Sequence, residues 1–210
     1  NRRADLVCFV NGLPLVFIEL KAVYKNIRAG FDGNLRDYMD EHVIAHAFHH
    51  NAFLIVSNGH RARYGSITSG WEHFSEWKRL DEDDRKGSVE AERLLDGMLT
   101  HDRLLDLVEN FILFDASKPG ATRKVIARNH QVLGVNKAVA SVRRQEELKR
   151  EFPPEKRLTY RMVELPAGEL TDADLLAMSA LGERDITRPM LHWVESAHPN
   201  LGKLGVFWHT

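Results

Sequence analysis

Three side chains near the start of the chain have types and spacing that could do chemistry: Asp5, Glu19 and Lys21. In a β-strand residues two apart point to the same face, so Glu19 and Lys21 project together. Two carboxylates with a neighbouring lysine are what metal-assisted hydrolysis of a phosphodiester needs. Hard carboxylate oxygens hold Mg²⁺, which polarises the phosphate and lowers the pKa of a bound water. The lysine orients that water and offsets developing negative charge.

The flanking pattern says how the three could meet. Leu6–Val10 and 13–22 are rich in Val, Ile, Leu and Phe, and Asn11-Gly12 between them is a strong hairpin signal. The second run is apolar at successive positions up to Glu19, as in a central strand covered on both faces. A charge buried there costs several kcal/mol unless it is paired, about that of any unpaired buried ion. With strict pairing around a two-residue Asn11-Gly12 loop, Asp5 faces Ile18; one extra residue brings it opposite Glu19. The sequence therefore predicts an odd-length connection or a bulge.

The remaining elements follow from periodicity and caps. Ile27, Phe31, Leu35 and Tyr38 share one face of a helix over 27–39, although Gly30 and Gly33 weaken it. Strands are predicted over 52–56 and 61–67, with the turn Ser57-Asn58-Gly59 between them, then an aromatic loop carrying Trp71, Phe74 and Trp77. Residues 81–86 read as a solvated turn, and Ser88 and Thr100 as N-caps of two helices reaching Leu99 and Ile112. Lys118-Pro119-Gly120 reads as a linker, dividing the chain into 1–118 and 119–210. A helix is predicted over 125–150, ended by Pro153-Pro154, with shorter ones over 172–181 and 189–197 and a strand over 204–208.

Of the 210 residues 43% are hydrophobic and 28% charged, so a sizeable core is available and a disordered chain is excluded. The formal net charge of −1 excludes a globally basic coat for nucleic acid but leaves room for a local basic patch. No apolar run approaches the roughly 18 residues of a membrane span. The single cysteine, Cys8, excludes an internal disulfide and fits a reducing, cytoplasmic setting. The chain begins without Met and ends inside an apolar run, which reads as a piece of something longer.

Arg3-Ala4-Asp5-Leu6-Val7, Val10-Asn11-Gly12-Leu13-Pro14-Leu15-Val16 and Ile18-Glu19-Leu20-Lys21 resemble the nuclease domain of the motor (R) subunit of type I restriction enzymes. Asn34-Leu35-Arg36-Asp37-Tyr38, Leu54-Ile55-Val56-Ser57-Asn58-Gly59, Trp71-Glu72-His73-Phe74, Trp77-Lys78 and Glu109-Asn110-Phe111-Ile112-Leu113-Phe114 are similar to later segments of that family. Arg128-Asn129-His130-Gln131 and Val135-Asn136-Lys137-Ala138-Val139 resemble the stretch that opens its helicase-like motor, and 204–210 the strand before its phosphate-binding loop. No Gly-x-x-x-x-Gly-Lys occurs in the sequence, so ATP binding is expected only of the full-length subunit.

The resemblance implies an α/β fold of restriction-endonuclease (PD-(D/E)xK) type, a mixed sheet flanked by helices, followed by a helical segment opening a helicase-like domain. It implies Mg²⁺-dependent endonucleolytic cleavage of double-stranded DNA, with Asp5 and Glu19 as metal ligands and Lys21 assisting the water. Partners would be DNA and the modification and specificity subunits of one complex. The family's Gln-x-x-x-Tyr motif falls on Asn34 and Tyr38, with Asn34 in place of Gln; both are carried over as DNA-binding. Arg61 and Arg63 alternate on a strand where they could touch phosphate. The competing readings are another PD-(D/E)xK nuclease, such as a repair exonuclease, and a docking module without catalysis. His42, His46, His49 and His50 read as a helix end rather than a zinc site, and the aromatic loop as a plug on the core.

Overall fold

A computed structural model describes residues 3–80, 89–118, 121–164 and 190–205. The chain divides into two compact units, Asn1–Val135 and Asn136–Thr210. Four strands, β1 (Leu6–Val10), β2 (Leu13–Leu20), β3 (Phe53–Ser57) and β4 (Ala62–Gly65), form a sheet in that order. The pairs β1/β2 and β3/β4 are antiparallel, while β2/β3 is parallel. The parallel pair needs a crossover, and the helical segment α1 (28–38) lies within it. This is the mixed α/β sheet that the sequence predicts.

The hairpin turns on Asn11 and Gly12, both at positive φ (50° and 80°), the backbone that a two-residue turn with the twist of its strands requires. Next to the turn Val10 pairs with Leu13 and Phe9 with Pro14; further on, Cys8 pairs with Val16 and Leu6 with Ile18. Leu15 is the extra residue, so the predicted shift takes the form of a bulge. The Leu15 carbonyl accepts from the Ala52 backbone N–H (2.7 Å) and the Asn51 side-chain amide (3.2 Å), which fastens the bulge to the start of β3.

Apolar residues cover both faces of the sheet. Val16, Ile18, Phe53 and Ile55 pack with Trp77, Leu94, Met98 and Leu107 on one side. Phe17, Leu54 and Val56 pack with Ile27, Phe31, Leu35, Tyr38, Phe48 and Phe74 on the other. The first side is closed by α2 (Glu90–Met98) and α3 (His101–Asn110). Helix α2 has Val89 at its N-cap, and the predicted cap Ser88 lies outside the described residues; Thr100 does hold the N-cap position of α3, with no cap bond from its side chain. Trp71 and Phe74 stack on each other at 5.5 Å, so the aromatic loop is indeed a plug.

Several predicted elements change. Around the predicted linker Lys118-Pro119-Gly120, β5 (Ile112–Lys118) pairs antiparallel with β6 (Ala121–Ile126), and both strands fall within the first compact unit. The Lys124 carbonyl accepts from the hydroxyls of Ser66 (2.5 Å) and Thr68 (2.9 Å), tying β6 to the first unit. Helix α4 (Asn129–Glu151) therefore starts after that strand, where the Gln131 side chain accepts from the Arg128 N–H (2.8 Å). In the second unit Gln145 of α4 donates to the carbonyls of Asn200 and Lys203 and accepts from the Gly202 N–H. Residues 190–196, predicted helical, form strand β8 (Met190–Ser196) against β7 (Leu158–Glu164). The predicted helix over 172–181 and most of the strand over 204–208 lie outside the described residues. Among the described residues no helix is long and apolar enough to cross a membrane.

Helix α1 runs through Arg28–Gly30, a π-helical turn over Phe31–Leu35, and Arg36–Tyr38. A Cβ at Gly30 would lie 2.8 Å from Val56 Cγ1, 3.2 Å from Glu19 Cγ and 3.3 Å from Lys21 Cε, whereas one at Gly33 would meet nothing within 4 Å. Gly30→Ala should therefore destabilise the protein by about 1–3 kcal/mol through overpacking. Gly33→Ala should be neutral or stabilise by up to about 1 kcal/mol. Urea unfolding of both variants checks this, and the opposite ranking would refute the close approach of α1 to the sheet.

Candidate active site

Glu19 sits one residue before the end of β2, at a position its neighbours in sequence make apolar, and is 1% exposed. Its Oε1 accepts from Lys21 Nζ at 2.7 Å and from Asn34 Nδ2 at 2.5 Å. Its Oε2 is buried with no hydrogen-bond partner among the described residues. Leaving such an oxygen without a partner costs on the order of 1–3 kcal/mol, more when it is charged. Burial is the largest influence on the Glu19 carboxyl and raises its pKa; the Lys21 ammonium works against this, and the nearby charge of Asp5 adds to it.

Asp5 precedes β1, and the bulged register points it toward the end of β2 that carries Glu19. Its Oδ2 accepts from the Leu20 N–H at 2.8 Å. The Lys21 N–H reaches the Ser57 carbonyl at 2.8 Å, extending the parallel pairing so that the lysine leaves the sheet on the same face as Glu19. Asp5, Glu19 and Lys21 thus meet at one end of the central strands.

Asn34 and Tyr38, one turn apart on α1, close this site from above. Asn34 Nδ2 lies 3.5 Å from the Tyr38 hydroxyl, which donates to the Arg3 carbonyl at 3.0 Å, so α1 is tied both to Glu19 and to the segment leading into Asp5. Burial raises the Tyr38 pKa. The polar atoms of both residues are engaged with the protein around Glu19, a positioning arrangement. Arg61 is exposed, while Arg63 on β4 pairs with Glu76 at 3.0 Å and lies over the Trp71 ring at 5.6 Å. The pairings Glu19↔Val56 and Val56↔Arg63 place Arg63 in the same row across the sheet as Glu19.

Two residues that sequence reasoning did not single out contribute. Gly30 lets α1 approach Glu19 and Lys21, and its signal was a glycine inside a helical pattern. Asn58, 7% exposed, donates from Nδ2 to the carbonyls of Val23 (3.0 Å) and Lys25 (3.1 Å) and accepts at Oδ1 from the N–H groups of His60 and Arg61. It fixes the loop that leaves Lys21; Asn-Gly after a strand marks only a turn in the sequence.

The donor set suits a divalent cation of hard type. An unpartnered buried carboxylate oxygen on Glu19, with a second carboxylate beside it on Asp5, offers oxygens of the kind Mg²⁺ takes. Among the described residues there is no group of three or more His, Cys, Asp or Glu side chains that could hold a metal. Such a site would need further ligands from water or substrate, as is usual for Mg²⁺.

The raised Glu19 pKa has a consequence for stability. Below the ordinary glutamic acid pKa of about 4.3 its contribution is fully present, and it is lost as pH rises through the raised folded value. In divalent-free buffer the wild type should therefore lose stability relative to Glu19→Gln as pH rises from about 4 toward neutrality. Urea midpoints of both proteins across that range measure it; a difference independent of pH would contradict the burial of an ionising group.

Residues 1–73 match the family described as type I restriction enzyme R protein N terminus. The chain is 39% identical over 148 residues to the type I restriction enzyme HindI endonuclease subunit of Haemophilus influenzae, covering 67% of this chain and 14% of that protein. It is 27% identical over 213 residues to the provisionally named type I restriction enzyme MjaIXP endonuclease subunit of Methanocaldococcus jannaschii, covering 90% of this chain and 19% of that protein. The chain thus spans less than a fifth of the length of these curated relatives. The resemblance read from the sequence motifs is borne out.

Proposed function

We propose, for a chain whose first 73 residues belong to the type I restriction enzyme R protein N-terminus family, that Asp5, Glu19 and Lys21 cut double-stranded DNA as part of an R subunit. The observation that carries this reading is the buried Glu19 with one oxygen bonded to Lys21 and Asn34 and the other without a partner among the described residues. The sheet, its bulge and α1 then constitute a nuclease core of PD-(D/E)xK type. Mg²⁺ would be held by Asp5 and Glu19, and when bound would supply Lewis-acid polarisation of a phosphate and a more acidic water.

The chain's own groups do the rest. The Lys21 amine, bonded to Glu19 Oε1, stands where negative charge would develop on the phosphate and can orient the attacking water. Asn34 fixes one oxygen of Glu19, leaving the other presented in one direction. Tyr38 holds α1 and the segment before Asp5 together, so that both carboxylates keep their places. The ATP-driven translocation of the whole subunit, its modification and specificity partners and a cytoplasmic location belong to this reading through the sequence resemblance; the relatives' names support the endonuclease-subunit role, and the single free Cys8 fits a reducing compartment.

Glu19→Ala or Lys21→Ala in the full-length subunit should abolish DNA cleavage while DNA-stimulated ATP hydrolysis persists. Loss of one such electrostatic contact costs about 10²–10³ in rate. Thermal unfolding run alongside separates a site defect from a folding defect. A well-folded variant that cuts DNA at the wild-type rate overturns the assignment.

A further inference from the structure

A second feature opens at the same end of the sheet. A groove of ≈ 620 Å³ has as part of its lining Tyr24, Lys25, His60, Arg61, Arg63 and Trp71, with Glu76 and Glu90 at its side. It lies beyond the carboxyl ends of β2 and β3, on the loops that Asn58 holds together. Its floor is the Arg63 guanidinium over the Trp71 ring, held by Glu76. Lys25 and Arg61 are exposed, with no side-chain partner among the described residues. Tyr24 is 87% exposed, although its loop is clamped by two hydrogen bonds from a buried amide. An aromatic ring held out from a hydrogen-bonded loop beside two exposed cations is equipped to meet a ligand with flat faces and negative charge.

The size of the groove restricts the choice. At ≈ 620 Å³ it falls within the range of small-ligand clefts, about 300–1,000 Å³, which accommodates a nucleotide or two and not a duplex. The row Glu19–Val56–Arg63 sets the groove floor two strand spacings, about 10 Å, from the catalytic carboxylate on the same face.

The geometry points to a single-strand subsite: this groove takes an unpaired DNA strand flanking the cut, with its phosphates on Lys25 and Arg61 and a base stacked on Tyr24. The inference rests on the nuclease reading of Glu19. It adds to that reading a place where a strand that has left the duplex is held, with Arg63 and Trp71 as the floor beneath it and Lys25, Arg61 and Tyr24 as the contacts. Cationic groups with exposed aromatics are the usual means of binding single strands without sequence preference.

The test uses this chain and a 5′-fluorescein-labelled single-stranded 20-mer, with anisotropy followed across a salt series without divalent ions. Lys25→Ala/Arg61→Ala should reduce the slope of log K against log salt by about 1.4, at about 0.7 per phosphate contact on a single strand. Tyr24→Ala should weaken binding about 5-fold or more, and Tyr24→Phe should restore it. All three positions are exposed, so urea midpoints should match the parent's. Variants that keep the parent's affinity and salt slope overturn the groove, and if the parent still cuts duplex DNA with Mg²⁺ the nuclease reading stands without it. A parent that does not bind the strand also overturns the groove, while cleavage by the full-length subunit and its loss in Glu19→Ala decide the nuclease reading separately.

Discussion

The buried carboxylate of Glu19 is the constraint around which the first unit is arranged. A strand covered by apolar side chains on both faces is a poor place for an ion, and among the described residues only one of its two oxygens has partners. Those partners come from two directions, Lys21 from the same strand and Asn34 from α1. Each is in turn held: Lys21 by the continued pairing with β3, α1 by Tyr38 and by the close approach at Gly30. A half-satisfied polar centre destabilises a core, and its retention here is coherent if the remaining oxygen has a ligand to bind.

The bulge at Leu15 does the complementary work. Without the extra residue Asp5 would face Ile18, and the second carboxylate would leave the site. The bulge costs one ladder pairing, which the Leu15 carbonyl recovers through Ala52 and Asn51. The local distortion is thereby fixed to β3, the strand whose far end carries Asn58 and the loop after Lys21. Hairpin, parallel pairing and crossover helix all converge on the same end of the sheet, and the groove with Tyr24 opens there as well.

Much of this was legible in the sequence because it depends on period and on turn chemistry. Asn11-Gly12 between apolar runs fixed the hairpin, and the mismatch between Asp5 and Glu19 announced the bulge. The same-face spacing of Glu19 and Lys21 follows from the strand period alone. Other features depend on distant packing and leave only ambiguous marks. Lys118-Pro119-Gly120 has the composition of a linker, yet β5 and β6 pair on either side of it. Residues 190–196 carry no pattern that separates helix from strand, and pairing with β7 decides the outcome. The side chain of Asn34 turns toward Glu19 rather than outward, within a helix that approaches the sheet closely at Gly30.

The most direct test of the central claim is anomalous scattering from crystals of this chain soaked in Mn²⁺. The account predicts one strong peak within coordination distance of both Glu19 Oε2 and an Asp5 carboxylate oxygen, and its loss in Glu19→Gln. A peak elsewhere, or one that persists at full height in that variant, would contradict a metal-binding role for the buried carboxylate.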